Sequence, residues 1–384
     1  MKVGVNMNKT LAHLSSEKIQ TLMQRYYDGE TVSKLLKEYD ISVHASELYK
    51  LFPPEIFYNY TCEYCGNYLV TNRPSKMSIK KSRYESDLYC PVCGHRPYIM
   101  DCDCKNCTEK KNLLLKQKLE KIKLVYSQEK EPIDFNDITF ENKVFLGALC
   151  RSLLKENLYE IKPYFNSNVL LTPDDTLSKK VYLNLFKSNI ISVSPTSPLE
   201  AFDETDDNFP NTFYIYKVNY YLNLKFPSDK HDLFMDILNP NYYKTELADE
   251  AYLLWNEIAI SECIQYLQYQ LKNSGFYFNP GNKTYKNFEI ILKDFSVSQI
   301  YGIIWKSVAN ISKLYLEKRM NKIHAANAIV SSCLRYAEQA KLNGWNLKFY
   351  NRIPDLPQSE LSAFYFNKVL GIGDMGFKVP PTIV

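Results

Sequence analysis

The chain has 384 residues, a formal net charge of +4, 45% hydrophobic and 23% charged residues. That length and apolar content suffice for several buried cores, which excludes a disordered chain and a small scaffold held together by disulfides. The charge is too small to establish a polyanion partner by itself, and the 31 tyrosines are read first as core-forming residues.

The opening stretch "MKVGVNMNKTLAHLSSEK" has no apolar core of leader length, and no apolar run approaches the roughly 20 residues of a membrane span. A cytoplasmic protein with no membrane partner is the expectation. Seven of the ten cysteines fall between Cys62 and Cys107, the others being Cys150, Cys263 and Cys333. Such local clustering in a long chain predicts metal-bound thiolates in a reducing compartment rather than a disulfide framework.

Between Ser15 and Phe52 the pattern predicts three short helices. Ile19, Leu22, Met23 and Tyr26 mark one apolar face, broken by Asp28-Gly29. Val32, Leu35, Leu36 and Tyr39 mark a second behind Thr31 as N-cap. After the Asp40-Ile41 turn, Ser42 is the expected cap of a third helix carrying Val43, Leu48 and Leu51. The stretch "YYDGETVSKLLKEYDIS" followed by "ELYKLF" resembles the helix-turn-helix of resolvases and transposases. The resemblance implies DNA as partner, with Ser42, His44, Ala45, Ser46, Tyr49 and Lys50 at the start of or along the recognition helix. A three-helix packing unit or a protein-contact module is the plainer alternative.

Next comes "TCEYCGNYLVTNRPSKMSIKKSRYESDLYCPVCGHRP". Zinc takes four tetrahedral thiolate or imidazole ligands, and each Cys-x-x-Cys supplies two with little strain. Cys62, Cys65, Cys90 and Cys93 therefore predict one zinc, with Gly66 and Gly94 in the tight turns and the intervening residues forming a hairpin from "YLVT" and "DLYC". This resembles the zinc ribbons of nucleic-acid-binding proteins. The run from Arg73 to Arg83 holds five basic residues and no acidic one, so Arg73, Lys76, Lys80, Lys81 and Arg83 are candidate phosphate contacts. Behind it, "DCDCKNC" offers Cys102, Cys104 and Cys107. With His95 they are a candidate second zinc set, the alternatives being ligand exchange within one site or spare thiols.

From Lys105 to Lys130 there are eight lysines against three glutamates, read as a basic helix or linker. Helices follow in "TFENKVFLGALCRSLLKEN" and "TLSKKVYLNLFKSN", then strands in "IISVSPTS" and "NTFYIYKVNYYLNL" around an acidic loop from Glu200 to Asp207. That order suggests a winged-helix-like unit whose acidic wing would favour protein over DNA. The remainder reads as long helices. One is stopped by Gly275, one is opened by a Ser296/Gln299 capping box, one is ended by Gly344, and a fourth follows Pro357. Ile300, Ile303, Ile304 and Trp305 are expected in their core.

The expected fold class is multidomain and mainly α with small β elements. It comprises a helix-turn-helix over 1–56, a zinc ribbon with an extra cysteine cluster over 57–110, a basic helix or linker over 111–132, a winged-helix-like domain over 133–235 and a helical domain over 236–384. No phosphate-binding Gly-x-x-x-x-Gly-Lys, Gly-x-Ser-x-Gly elbow or His-Glu-x-x-His helix is present, so catalysis is not the expectation. Glu246, Glu250 and Glu257 with His324 are the acidic group a metal-dependent nuclease would need, and a solvated helix face is the commoner reading. The function expected is a zinc-containing DNA-binding protein of a bacterial, mobile-element or phage-related system. Its C-terminal half would bind a protein partner or self-associate. A scaffold component of a phage-defence or mobile-element system is the alternative, and a metal-dependent nucleic-acid enzyme with a C-terminal site is the second.

Overall fold

The computed structural model describes residues 9–78, 87–128, 130–228, 230–241, 243 and 245–382. The chain divides into two compact units, Met1–Glu120 and Lys121–Val384. Lys80, Lys81 and Arg83 lie outside the described residues.

The first unit starts with three short helices around one small core. α1 (Ser16–Tyr27) begins where Ser15 accepts a hydrogen bond from the Lys18 amide, and buries Ile19, Leu22 and Tyr26. It stops at Asp28, and Gly29 turns the chain with φ +97°, a left-handed angle that suits glycine. α2 (Val32–Glu38) follows and buries Leu35. Arg25 ties the end of α1 to α2. Its Nε and Nη2 donate to Glu30 at 2.7 and 3.0 Å, and its Nη1 and Nη2 to Glu38 at 2.6 and 2.7 Å. A planar guanidinium can hold two carboxylates in this forked way.

The third helix departs from expectation in two respects. It is a 3-10 turn, Ala45–Leu51, and its cap is His44, whose imidazole accepts from the Ser46 amide. Ser42 does not cap it, because the chain is still extended at His44 (φ −66°, ψ 143°) and helical geometry starts only after that residue.

β1 (Glu55–Thr61) and β2 (Tyr68–Thr71) pair antiparallel, with Glu55 opposite Thr71 and Phe57 opposite Leu69. The hairpin thus wraps around the first Cys-x-x-Cys instead of lying between the two knuckles. The "DLYC" segment contributes only a bridge from Tyr89 to Val70. The strand before Cys62 was not anticipated. Its "EIFYNYT" is half exposed on both faces and lacks a clean alternation. Arg73 Nε donates to the Pro53 carbonyl at 2.9 Å, Tyr27 Oη donates to the Pro74 carbonyl at 2.8 Å, and Lys76 Nζ donates to the Glu30 carbonyl at 2.8 Å. These bonds fasten the β-hairpin region to the helices of the same unit. α3 (Lys105–Tyr126) continues without a break through the basic segment.

In the second unit, α4 (Phe140–Leu153), β3 (Glu160–Ile161), α5 (Asp175–Lys187), β4 (Ile191–Val193) and β5 (Tyr220–Leu222) form a helix pair beside a three-stranded antiparallel sheet of order β3-β5-β4. β3 between the two helices was not foreseen, since two residues carry no periodicity. The acidic loop is braced by its own side chains, with Asp203 accepting from Thr205 and Asp206 accepting from Thr212.

α6 (Lys230–Leu238), α7 (Ala248–Asn273), α8 (Asn282–Leu292), α9 (Val297–Leu316) and α10 (Lys322–Leu342) follow, then α11 (Glu360–Phe364), which runs into a π turn, and α12 (Met375–Lys378). The capping box at Ser296 and Gln299 is present, and Gly275 and Gly344 take φ +74° and +62° just past their helices. α9 packs against both α7 and α10. Tyr266 and Tyr301 stack at 3.7 Å, and the Trp255 indole donates to the Gly376 carbonyl at 3.1 Å. Ile300, Ile303 and Ile304 are fully buried, but Trp305 is 52% exposed. One residue beyond Ile304 lies about 100° around the helix, off the buried stripe. Glu262 is buried against Arg352 at 2.8 Å and accepts from Ser362 at 2.8 Å. Among the described residues no helix is long and apolar enough to cross a membrane.

Candidate metal centres

The cysteines of the first unit gather into two groups whose ligand atoms lie within 4.8 Å of one another: Cys62, Cys65, Cys90 and Cys93, and His95, Cys102, Cys104 and Cys107. Among the described residues these are the groups of three or more His, Cys, Asp or Glu side chains that could hold a metal ion.

The first group is built by two knuckles that repeat the same backbone bonds. Gly66 N donates to Cys62 O and Gly94 N to Cys90 O, both at 2.9 Å. Cys62 N donates to Asn67 O and Cys90 N to His95 O, both at 2.8 Å. Gly66 and Gly94 take φ +69° and +72°, so each turn closes where a Cβ would be strained. The sulfurs that result lie 3.5 Å apart for Cys62 and Cys93, 3.3 Å for Cys65 and Cys90, and 3.8 Å for Cys65 and Cys93. Four thiolates about 2.3 Å from one tetrahedral ion are separated by about 3.8 Å, so the set fits such an ion with little movement. Asn67 Nδ2 donates to Cys65 Sγ at 3.3 Å, which brings that thiol down to about 6, within reach of the thiolate form a metal requires. Burial pushes the Cys62 thiol up, as expected for a sulfur whose charge only a cation would offset.

The second group forms around one imidazole. His95 Nδ1 lies 3.6, 3.8 and 3.2 Å from the sulfurs of Cys102, Cys104 and Cys107. A nitrogen at about 2.05 Å and a sulfur at about 2.3 Å from a tetrahedral ion would be about 3.6 Å apart. Nδ1 is therefore the candidate ligand atom. Cys107 sits in the first turn of α3, but burial pushes its thiol up, so a cation would be needed to hold it as thiolate. Burial opposes ionisation of Cys102, but hydrogen bonds from the backbone amides of Cys104 and Arg96 and from the His95 and Cys104 side chains together outweigh it and bring the thiol to about 6. The Arg96 amide donates to this sulfur at 3.3 Å.

The two groups share structure. His95 follows the second knuckle by two residues, and Glu63 and Tyr64 are the middle residues of the first. Glu63 Oε1 lies 3.3 Å from His95 Nε2. The Tyr64 ring packs edge-on against the imidazole at 4.7 Å, and its hydroxyl is 3.7 Å from Cys107 Sγ. His95 Nε2 is buried and closes no hydrogen bond of normal geometry, so a small shift of the exposed Glu63 side chain would supply its partner. Sequence reasoning missed Glu63, Tyr64 and Asn67. Their only signal is position inside and just behind a Cys-x-x-Cys.

The candidate DNA contacts are placed unevenly. Ser42, His44, Ser46 and Lys50 are exposed, Ala45 is half-buried, and Tyr49 packs against the small helical core. His44 Nδ1 lies 2.7 Å from Ser46 Oγ, and Lys50 pairs with Glu47 at 2.8 Å. Arg73 and Lys76 are committed to backbone carbonyls, as described. In the second unit, Glu250 and Glu257 line one cavity, but Glu246 and His324 do not. Glu246 precedes α7 in a separate 3-10 turn, so it does not continue the face of the other two. Comparison with protein-family models, with curated proteins and with solved structures finds no match for this chain.

Proposed function

We propose that the first unit is a zinc-stabilised DNA-binding module in which a helix-turn-helix is held in place by a two-zinc ribbon. The observation that carries this reading is the pair of tetrahedral donor sets fastened to a three-helix unit. Thiolate and imidazole donors at these spacings select zinc over hard cations, and four protein ligands leave no open position for chemistry. A bound zinc would supply structure here, not catalysis. Exposed Lys34 and Lys50, whose surface pairs with Glu30 and Glu47 a phosphate would displace, and the lysines of α3 are the groups offered to phosphates.

A second reading, a protein-contact module, is favoured by α3 itself. It exposes Leu113, Leu114 and Leu115 beside its lysines, and apolar exposure does not assist phosphate binding. The test is fluorescence anisotropy of the metal-loaded full chain on labelled duplex DNA over a range of salt. Binding that weakens steeply with salt, with a slope reduced in Lys34→Gln/Lys50→Gln, is the expected result. His44→Ala/Ser46→Ala should broaden the sequences enriched from a random pool. No binding at low salt by the zinc-loaded protein would overturn the DNA reading and leave protein contact in its place.

A further inference from the structure

The second unit contains a cavity of about 660 Å³ between α5, α7, α8 and the start of α4, within the range of about 300–1,000 Å³ usual for small-ligand sites. Its charged lining is Glu141, Asp174, Glu250, Glu257 and Glu289 against the single Lys180. The Lys180 ammonium is already held by Glu141 at 2.7 Å and Glu257 at 2.6 Å. Glu250 and Glu289 have no cationic partner among the described residues, and Asp174 is engaged only as the cap of α5 and beside Ser261. The cavity thus carries more negative charge than its own lysine can balance.

Two further observations separate this from an ordinary acidic surface. Burial raises the carboxyl of Asp174, which has no ion-pair partner among the described residues, and raises that of Glu257 in spite of the Lys180 ammonium beside it. Ser261 lines the same cavity, is 2% exposed, and its hydroxyl closes no hydrogen bond of normal geometry. A buried hydroxyl that closes no good hydrogen bond carries a desolvation penalty; here its proton faces Asp174, and its oxygen is left to accept from a ligand. No three of these carboxylates converge within reach of one metal ion. Apolar Leu177, Leu254, Ile260 and the Tyr285 ring line the same cavity. Charges spread along a partly apolar wall match a chain of ammonium groups separated by methylenes.

We propose that this cavity binds a linear aliphatic polyamine. The ammonium groups would pair with Glu250, Glu289 and Asp174, the Ser261 hydroxyl would accept from one of them, and the methylenes would lie on Leu254 and Ile260. The site is separate from the metal centres and stands whether or not the DNA reading holds.

The experiment is isothermal titration of the full-length, zinc-loaded protein with spermidine, alongside magnesium chloride and an oligolysine peptide. One spermidine per chain is expected, weakened roughly tenfold or more in Glu250→Gln/Glu289→Gln, about 1.4 kcal/mol or more. Both glutamates are exposed, so this variant should keep the wild-type melting curve. Ser261→Ala should weaken binding less and leave the stoichiometry unchanged. Absence of spermidine binding, or binding unaffected by the double substitution, would overturn the proposal. Equal binding of magnesium in competition with spermidine would overturn it in favour of a divalent cation site, and binding of oligolysine alone would overturn it in favour of a protein partner.

Discussion

The two units hold themselves together by different means. The β-hairpin region of the first has a core of four buried residues, Cys62, Leu69, Leu88 and Cys90, two of which are metal-ligand candidates. The second unit has a continuous core running from Ile122 to Phe377, with Trp255, Tyr182, Tyr220 and Tyr301 among its fully buried side chains. So small a core cannot offset the conformational entropy of ordering its own chain, whereas the larger one can. If the two donor sets hold metal, one region of this polypeptide would fold as a metal-binding equilibrium while the other folds on its apolar core.

The largest test of that contrast is metal removal. Purified protein should contain two zinc ions per chain, and stripping them should unfold residues 55–110 while the second unit keeps its helices. Structural zinc contributes on the order of 10–16 kcal/mol in small domains, far more than the apolar contacts of four residues. Metal analysis of Cys90→Ser, together with hydrogen exchange, reads the effect. A zinc-free protein with a protected hairpin would break the comparison.

The converse test falls on the second unit. Arg352→Met leaves the Glu262 carboxylate, 1% exposed, without its ion pair, which costs about 3–5 kcal/mol. Its melting temperature should fall with zinc content unchanged. If both units lose stability together, they are not independent.

Glu63→Gln sharpens the comparison within the first unit. A carboxylate behind a ligating histidine fixes the imidazole and raises its basicity, and losing it lowers metal affinity about 10- to 100-fold. The His95 centre should release zinc to a chelator sooner, while the four-cysteine centre changes little. Equal loss from both would show that the shared knuckle, not the carboxylate, sets affinity.

The smallest effect is electrostatic. Arg25 and then Lys34 hold the Glu30 carboxyl down to about 2 from 4.5, and Arg25 lowers Glu38 as well. Because these carboxyls are depressed in the folded state, their contribution is present above about pH 4.5 and lost as pH falls towards about 2. Protection of the α1 and α2 amides, corrected for intrinsic exchange, should decline over that window in wild type. Arg25→Met should start lower and decline less. An identical profile in both would remove the fork from the stabilising contacts, as is common for exposed pairs.

The sequence by itself determined the features that depend on neighbours a few residues away. The Cys-x-x-Cys-Gly turns at Cys62 and Cys90, the stop of α1 at Asp28-Gly29, the Ser296/Gln299 box and the glycines after α7 and α10 are local geometry, and residue type suffices to write them. The two donor sets were also legible as spacing, although only folding brought His95 Nδ1 to three sulfurs, a set that could hold a second ion. Tertiary structure alone decided what is non-local. It paired "EIFYNYT" with "YLVT", and turned Arg73 and Lys76 inward to carbonyls distant in sequence. It also opened a carboxylate-lined cavity between helices that sequence reading treated as solvated faces. In each case the deciding partner lies far along the chain, so no pattern read over a few turns contains it.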